Sequence, residues 1–187
     1  NRKLRNYEAA IANYRVAIRI KPDYTDAYIN LGITLKNIGQ INSAVSTYKE
    51  VLKFKPDNAE AYYNIGNTFQ VTNNVDAAIE YYKKAINSQP SYSEAYNNLG
   101  TTLMDKGELN SAILNYKKAL SIKSDDAEIR YNLGNALQNK GALDEAIECY
   151  RFAIKIAPKY ANAYNNIAVA LKNKGELDAA IDCYNHV

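Results

Sequence analysis

Six residues recur every 34 positions, and that spacing leaves little freedom in what the chain can fold into. Ala27-Tyr28-Ile29-Asn30-Leu31-Gly32 returns as Ala61-Tyr62-Tyr63-Asn64-Ile65-Gly66 and as Ala95-Tyr96-Asn97-Asn98-Leu99-Gly100. It returns again as Ile129-Arg130-Tyr131-Asn132-Leu133-Gly134 and as Ala163-Tyr164-Asn165-Asn166-Ile167-Ala168. A fixed period of this size marks a solenoid, which grows by stacking units rather than by enlarging one core. Proline punctuates the register at Pro22, Pro56, Pro90 and Pro158, with Ser124 where the series asks for another. Glycine marks a second beat at Gly39, Gly107, Gly141 and Gly175, and Asn73 fills the vacant slot. Asparagine tolerates the left-handed backbone better than other side chains, so Asn73 fits the same turn. Between these marks each unit holds two segments of helical periodicity. The pattern predicts a helix A, a tight turn, a helix B and a proline-bounded turn per unit.

Residues 1–24 read as the second helix of a partial unit, full units run 25–58, 59–92, 93–126 and 127–160, and 161–187 is a truncated one. The ends of a solenoid need a polar outer face, and neither end of this chain shows one, so further units or another domain are expected beyond each. Tyr-x-x-Leu/Ile-Gly-x-x-Leu/Phe, then Gly, then Ala-x-x-x-Tyr-x-x-Ala/Val, then Pro resembles the tetratricopeptide repeat. The unit at 93–126 carries it as Tyr96, Leu99, Gly100, Leu103, Gly107, Ala112, Tyr116 and Ala119. The resemblance implies an all-α solenoid, a right-handed superhelix of antiparallel helix pairs whose concave face is lined by the A helices. Ile129-Arg130, Ala168 and Ser124 depart from the pattern without breaking its register.

Numbering each unit from Thr25 and its equivalents, positions 4, 7, 8 and 11 form one apolar stripe of helix A, as in Tyr62, Ile65, Gly66 and Phe69. Ala44, Ala78, Ala112, Ala146 and Ala180 let backbones approach. Tyr48, Tyr82, Tyr116, Tyr150 and Tyr184 fill the spaces between helices, their hydroxyls expected at the rim or on a backbone partner. Acids at position 2 (Asp26, Glu60, Glu94, Glu128) suit the helix dipole, and Lys83-Lys84 and Lys117-Lys118 read as a solvated face.

Position 6 is harder to dismiss. It is asparagine in every unit: Asn30, Asn64, Asn98, Asn132 and Asn166. Asparagine is a mediocre helix former, and five copies together cost about 3 kcal/mol against alanine. An amide carries an acceptor and donors, so it can pair with the C=O and N–H of one peptide unit. A ladder of them would grip an extended polypeptide by its backbone. Asn67, Thr101 and Asn135 at position 9, and Tyr63, Asn97 and Tyr131 at position 5, share that face and complete the candidate peptide-binding set. At ~1 kcal/mol per site the ladder supplies about 5 kcal/mol, which association entropy alone can cancel. Weak, promiscuous binding is the expectation.

Other chemistry is thin. The net charge of +3 is too balanced for a nucleic-acid or membrane-surface protein, and no apolar run approaches a membrane span. Position 5 holds no lysine, so the basic clamp of the tetratricopeptide modules that bind chaperone tails is missing. Cys149 and Cys183 read as small buried residues, and with His186 they are too few for zinc. No cofactor, no metal and no catalytic constellation is expected. The first reading is therefore a protein-interaction module for extended peptides. A second is the substrate-recruiting arm of a larger enzyme, since the uninterrupted asparagine column is similar to the repeat region of O-linked N-acetylglucosamine transferases. A third is a scaffold that self-associates through exposed terminal helices. Two thiols and no signal segment point to the cytoplasm.

Overall fold

The computed structural model describes residues 2–184, and side chains from 6 to 183; His186 and Val187 lie outside them. The described residues form eleven helices and no strand: α1 (Arg2–Ile20), α2 (Thr25–Asn37), α3 (Ile41–Phe54), α4 (Ala59–Val71), α5 (Val75–Ser88), α6 (Ser93–Asp105), α7 (Leu109–Ile122), α8 (Ala127–Asn139), α9 (Leu143–Ile156), α10 (Ala161–Lys174) and α11 (Leu177–Tyr184). The fold is an all-α solenoid of helix pairs. It divides into two compact units, Asn1–Pro90 and Ser91–Val187.

The punctuation works as written. Each A helix ends on a left-handed residue: Gly39, Gly107, Gly141 and Gly175 have φ between 80° and 85°, and Asn73 has φ 57°. The following N–H then reaches back to close the helix, as Gln40 N does to Leu35 O at 2.9 Å and Asn74 N to Phe69 O at 2.9 Å. The chain reverses within two or three residues, which forces the next helix to lie antiparallel. At the other turn, Lys55 before Pro56 is extended (φ −134°, ψ 85°), as a pre-proline residue must be. Lys123 adopts φ −128° and ψ 88° before Ser124. The turn survives the loss of the ring.

One interlock builds the four pairs from α2–α3 to α8–α9. Tyr48, Tyr82, Tyr116 and Tyr150 are fully buried, each with its ring in the notch left by Gly32, Gly66, Gly100 or Gly134. A Cβ at Gly66, Gly100 or Gly134 would lie 2.7, 2.8 or 2.5 Å from the facing ring, and at Gly32 it would collide with Tyr48. Ala44, Ala78, Ala112 and Ala146 close the B-helix side. In the last pair Ala168 replaces the glycine, and the Tyr184 side chain that would face it lies outside the described residues. Of the predicted apolar stripe, Ile65 is fully buried while Tyr62 and Phe69 are half-buried, both packed on Tyr81.

Candidate functional site

All eleven candidate residues lie on the A helices α2, α4, α6, α8 and α10, and their surroundings differ from helix to helix. In the first unit Asn30 is exposed. Asn64 is only 6 % exposed, and its Nδ2 donates to the Glu60 carbonyl one turn back at 2.9 Å. The Thr34 and Thr68 hydroxyls donate to the Asn30 and Asn64 carbonyls at 2.8 and 2.7 Å. Tyr63 packs beside the buried Tyr82, with ring centroids 6.0 Å apart.

Within the second unit the amides engage one another. Asn132 Nδ2 donates to Asn97 Oδ1 at 3.1 Å, and Asn97 Nδ2 faces Asn98 Oδ1 at 3.4 Å. Asn166 Nδ2 donates to Asn135 Oδ1 at 2.8 Å and to Tyr131 Oη at 3.2 Å, with Tyr150 Oη at 3.5 Å. Tyr131 packs between Tyr150 and Tyr160, at 5.7 and 5.0 Å between centroids.

Position 9 has a partner that its place on a helical wheel does not reveal. The Tyr82 hydroxyl donates to Asn67 Oδ1 at 2.8 Å and faces Gln70 Oε1 at 2.6 Å. Tyr150 repeats this with Asn135 at 2.9 Å and Gln138 at 3.0 Å, and Tyr116 pairs with the Thr101 hydroxyl at 3.0 Å. The interlocking tyrosines therefore meet side chains rather than the rim or the backbone, which corrects the sequence expectation. A wheel gives direction but not the reach of a phenol through a glycine notch. Tyr48 is the exception. Ile33 stands where the others have Asn or Thr, and the Tyr48 hydroxyl is buried without a hydrogen bond. The nearby Thr68 hydroxyl gives its proton to the Asn64 carbonyl instead. Burial pushes the Tyr48, Tyr116 and Tyr150 phenols up, Tyr116 to about 12 despite its bond to Thr101. Reading columns 9 and 24 together would have found the pairing; reading either alone does not. Gln70, Gln138 and Tyr160 were missed for the same reason.

Among the described residues, possible metal ligands do not gather in threes, and no helix is long and apolar enough to cross a membrane. Cys149 and Cys183 are free thiols, partly rather than fully buried, and desolvation pushes both up. Arg130, in the place of a tyrosine, lies 4.9 Å over the Phe152 ring and reaches the Ser124 carbonyl at 3.5 Å.

Comparison with known proteins agrees with the fold. A family profile described as TPR repeat matches residues 2–39, 37–71 and 100–141. Two others described as tetratricopeptide repeat match 59–92 and 127–160, and 81–113 and 149–182. No curated protein matches the chain. Among solved structures, a crystal structure of MamA is similar at 31 % identity and TM-score 0.79, over 83 % of this chain and 91 % of that one. The structure of YrrB, described as a TPR protein with an unusual peptide-binding site, is similar at 25 % identity and TM-score 0.76, over 92 % and 89 %. PilF of Pseudomonas aeruginosa shares the fold at 22 % identity and TM-score 0.78, over 87 % and 74 %.

Proposed function

Because the chain belongs to the tetratricopeptide repeat family, we propose that it is a non-catalytic interaction module whose A helices hold extended peptide segments through their asparagine amides. Tetratricopeptide arrays are folds of protein–protein interaction, and YrrB is described with a peptide-binding site of its own. The observation that carries the reading is Asn64. Its residue is nine-tenths buried, yet its Oδ1 takes no hydrogen bond and is not sealed in, since among the described residues only Tyr48 Oη and Arg130 Nε are buried without a partner. A polar atom held at the surface by an otherwise buried, helix-disfavouring side chain is placed for a ligand rather than for the fold.

Peptide-array binding tests this with the intact chain beside the triple variant Asn64→Ala, Asn98→Ala, Asn132→Ala. Alanine favours helix, so loss of binding is separable from loss of folding, which circular dichroism checks. Binding of many unrelated extended peptides by the wild type, lost in the variant, supports the reading; equal binding by both sinks it.

A second reading rests on α11. Leu177 and Ile181 are 59 % and 57 % exposed, whereas Ile113 and Ile147, the counterparts of Ile181, are 8 % and 4 % exposed. Self-association through this face would show as a molecular mass that falls on dilution.

A further inference from the structure

The amides of the A helices do not present the same edge outward. At three of the position 6 residues the nitrogen is turned into the fold: Asn64 Nδ2 donates to Glu60 O, Asn132 Nδ2 to Asn97 Oδ1, and Asn166 Nδ2 to Asn135 Oδ1 and Tyr131 Oη, whereas at Asn98 it is the oxygen that faces a neighbour, Asn97 Nδ2. The first of these uses the backbone of its own helix and the other two use neighbouring side chains, so two unrelated arrangements reach one result. A primary amide has its oxygen on one side and its two N–H donors on the other. With the nitrogen inward the oxygen is the unbonded edge; Asn166 spends both N–H donors, and Asn64 and Asn132 one each.

One turn along α8 the polarity reverses. Asn135 Oδ1 accepts from both Asn166 Nδ2 and Tyr150 Oη, at 2.8 and 2.9 Å, and Gln138 Oε1 faces the same phenol at 3.0 Å. The Asn135 oxygen is taken, which leaves its NH2 group. None of these remaining edges is buried without a partner, so all of them meet solvent. An outward acceptor at Asn132 is therefore followed by an outward donor at Asn135, about 4.5 Å further along the helix axis. Tyr150 has a single proton to give and fixes the arrangement from beneath, because its ring is locked in the Gly134 notch.

We infer that Asn132 and Asn166 read the N–H groups of a bound peptide through their amide oxygens, while Asn135 reads its C=O groups through its NH2, with Tyr150 as the positioning residue. The inference rests on the peptide-binding reading and narrows its ligand class. The occupant is an extended segment with unsubstituted N–H groups. A proline-rich segment, lacking N–H donors, is excluded.

The probe is a fluorescein-labelled decapeptide of alternating threonine and valine with lysine at each end, beside its N-methylated and proline-substituted versions. Fluorescence anisotropy with the full chain should show at least tenfold weaker binding of both substituted peptides. Aspartate is an oxygen-only isostere of asparagine. Asn132→Asp keeps its outward acceptor and should bind within threefold of wild type, whereas Asn135→Asp loses its outward donor and should weaken binding at least tenfold. The reverse order, or equal binding of the proline peptide, overturns the inference. Side-chain amide NMR of the unliganded protein reads the polarity directly and needs no variant to fold. The Asn132 and Asn166 NH2 protons should exchange slowly with solvent and those of Asn135 quickly, with the contrast reduced in Tyr150→Phe. The opposite exchange order refutes the assignment even if peptides bind. The expected exchange order with no peptide bound by the wild type instead brings down the peptide-binding reading, and the ligand class with it.

Discussion

The pairs α2–α3 and α8–α9 seat the same tyrosine in the same glycine notch, yet only one of them uses its hydroxyl. Tyr150 gives its proton to a site formed by Asn135 and Gln138; Tyr48 is equally buried and bonds to nothing. The difference comes from two positions on the facing helix, Ile33 against Asn135 and Lys36 against Gln138. The ring and the hydroxyl thus do separate jobs. The ring, with its glycine, locks two helices together. The hydroxyl, with position 9, aligns amides on the open face. A pair can keep the first and lack the second, which is why the helix geometry is uniform along the chain while the surface chemistry is not.

The largest effect should come from the part the two pairs share. Gly32→Ala and Gly134→Ala each drive a methyl group into a locked ring, and each should cost about 3 kcal/mol in denaturant unfolding despite alanine's better helix propensity. A clear difference between the two would show that the notches are not equivalent. Removing the hydroxyls should separate the pairs. Tyr150→Phe takes the only O–H donor away from the Asn135–Gln138 site and should destabilise by about 1.5 kcal/mol, whereas Tyr48→Phe removes an unsatisfied group and should stabilise by about 1 kcal/mol. If both substitutions destabilise alike, the contrast drawn here is wrong. The smallest effect sharpens it. Ile33→Asn offers Tyr48 the partner that its counterparts have. In a double-mutant cycle with Tyr48→Phe the pair should show a coupling of about 1 kcal/mol, and none would mean that the introduced amide does not reach the phenol.

These contrasts also explain what could be read in advance. The period, the helix pairs, the tyrosine core and the left-handed Asn73 follow from spacing and backbone preference, both of which are local. The face carrying Asn30, Asn64, Asn98, Asn132 and Asn166 was legible for the same reason, since 100° per residue assigns a direction to each side chain. What each amide does on that face was not. Asn64 folds back on Glu60, and Asn67, Thr101 and Asn135 serve tyrosines fifteen residues downstream. These are choices of rotamer and reach, set when two helices meet, and no single helix contains the information.

The buried phenols carry one more consequence, and it is optical. The chain has 17 tyrosines, three phenylalanines and no tryptophan, so tyrosine dominates its near-ultraviolet absorption. A phenol released by unfolding ionises near the ordinary 10.0, whereas Tyr116 in its notch waits until about 12 and Tyr48 and Tyr150 are shifted the same way. Above pH 10 the folded state therefore holds more protons than the unfolded one, and stability falls as pH rises. In alkali the notch phenols Tyr48, Tyr116 and Tyr150 should shift their absorption to longer wavelength together, as the helix pairs part. The protein thus records its own opening in colour, with one buried chromophore for each interlock.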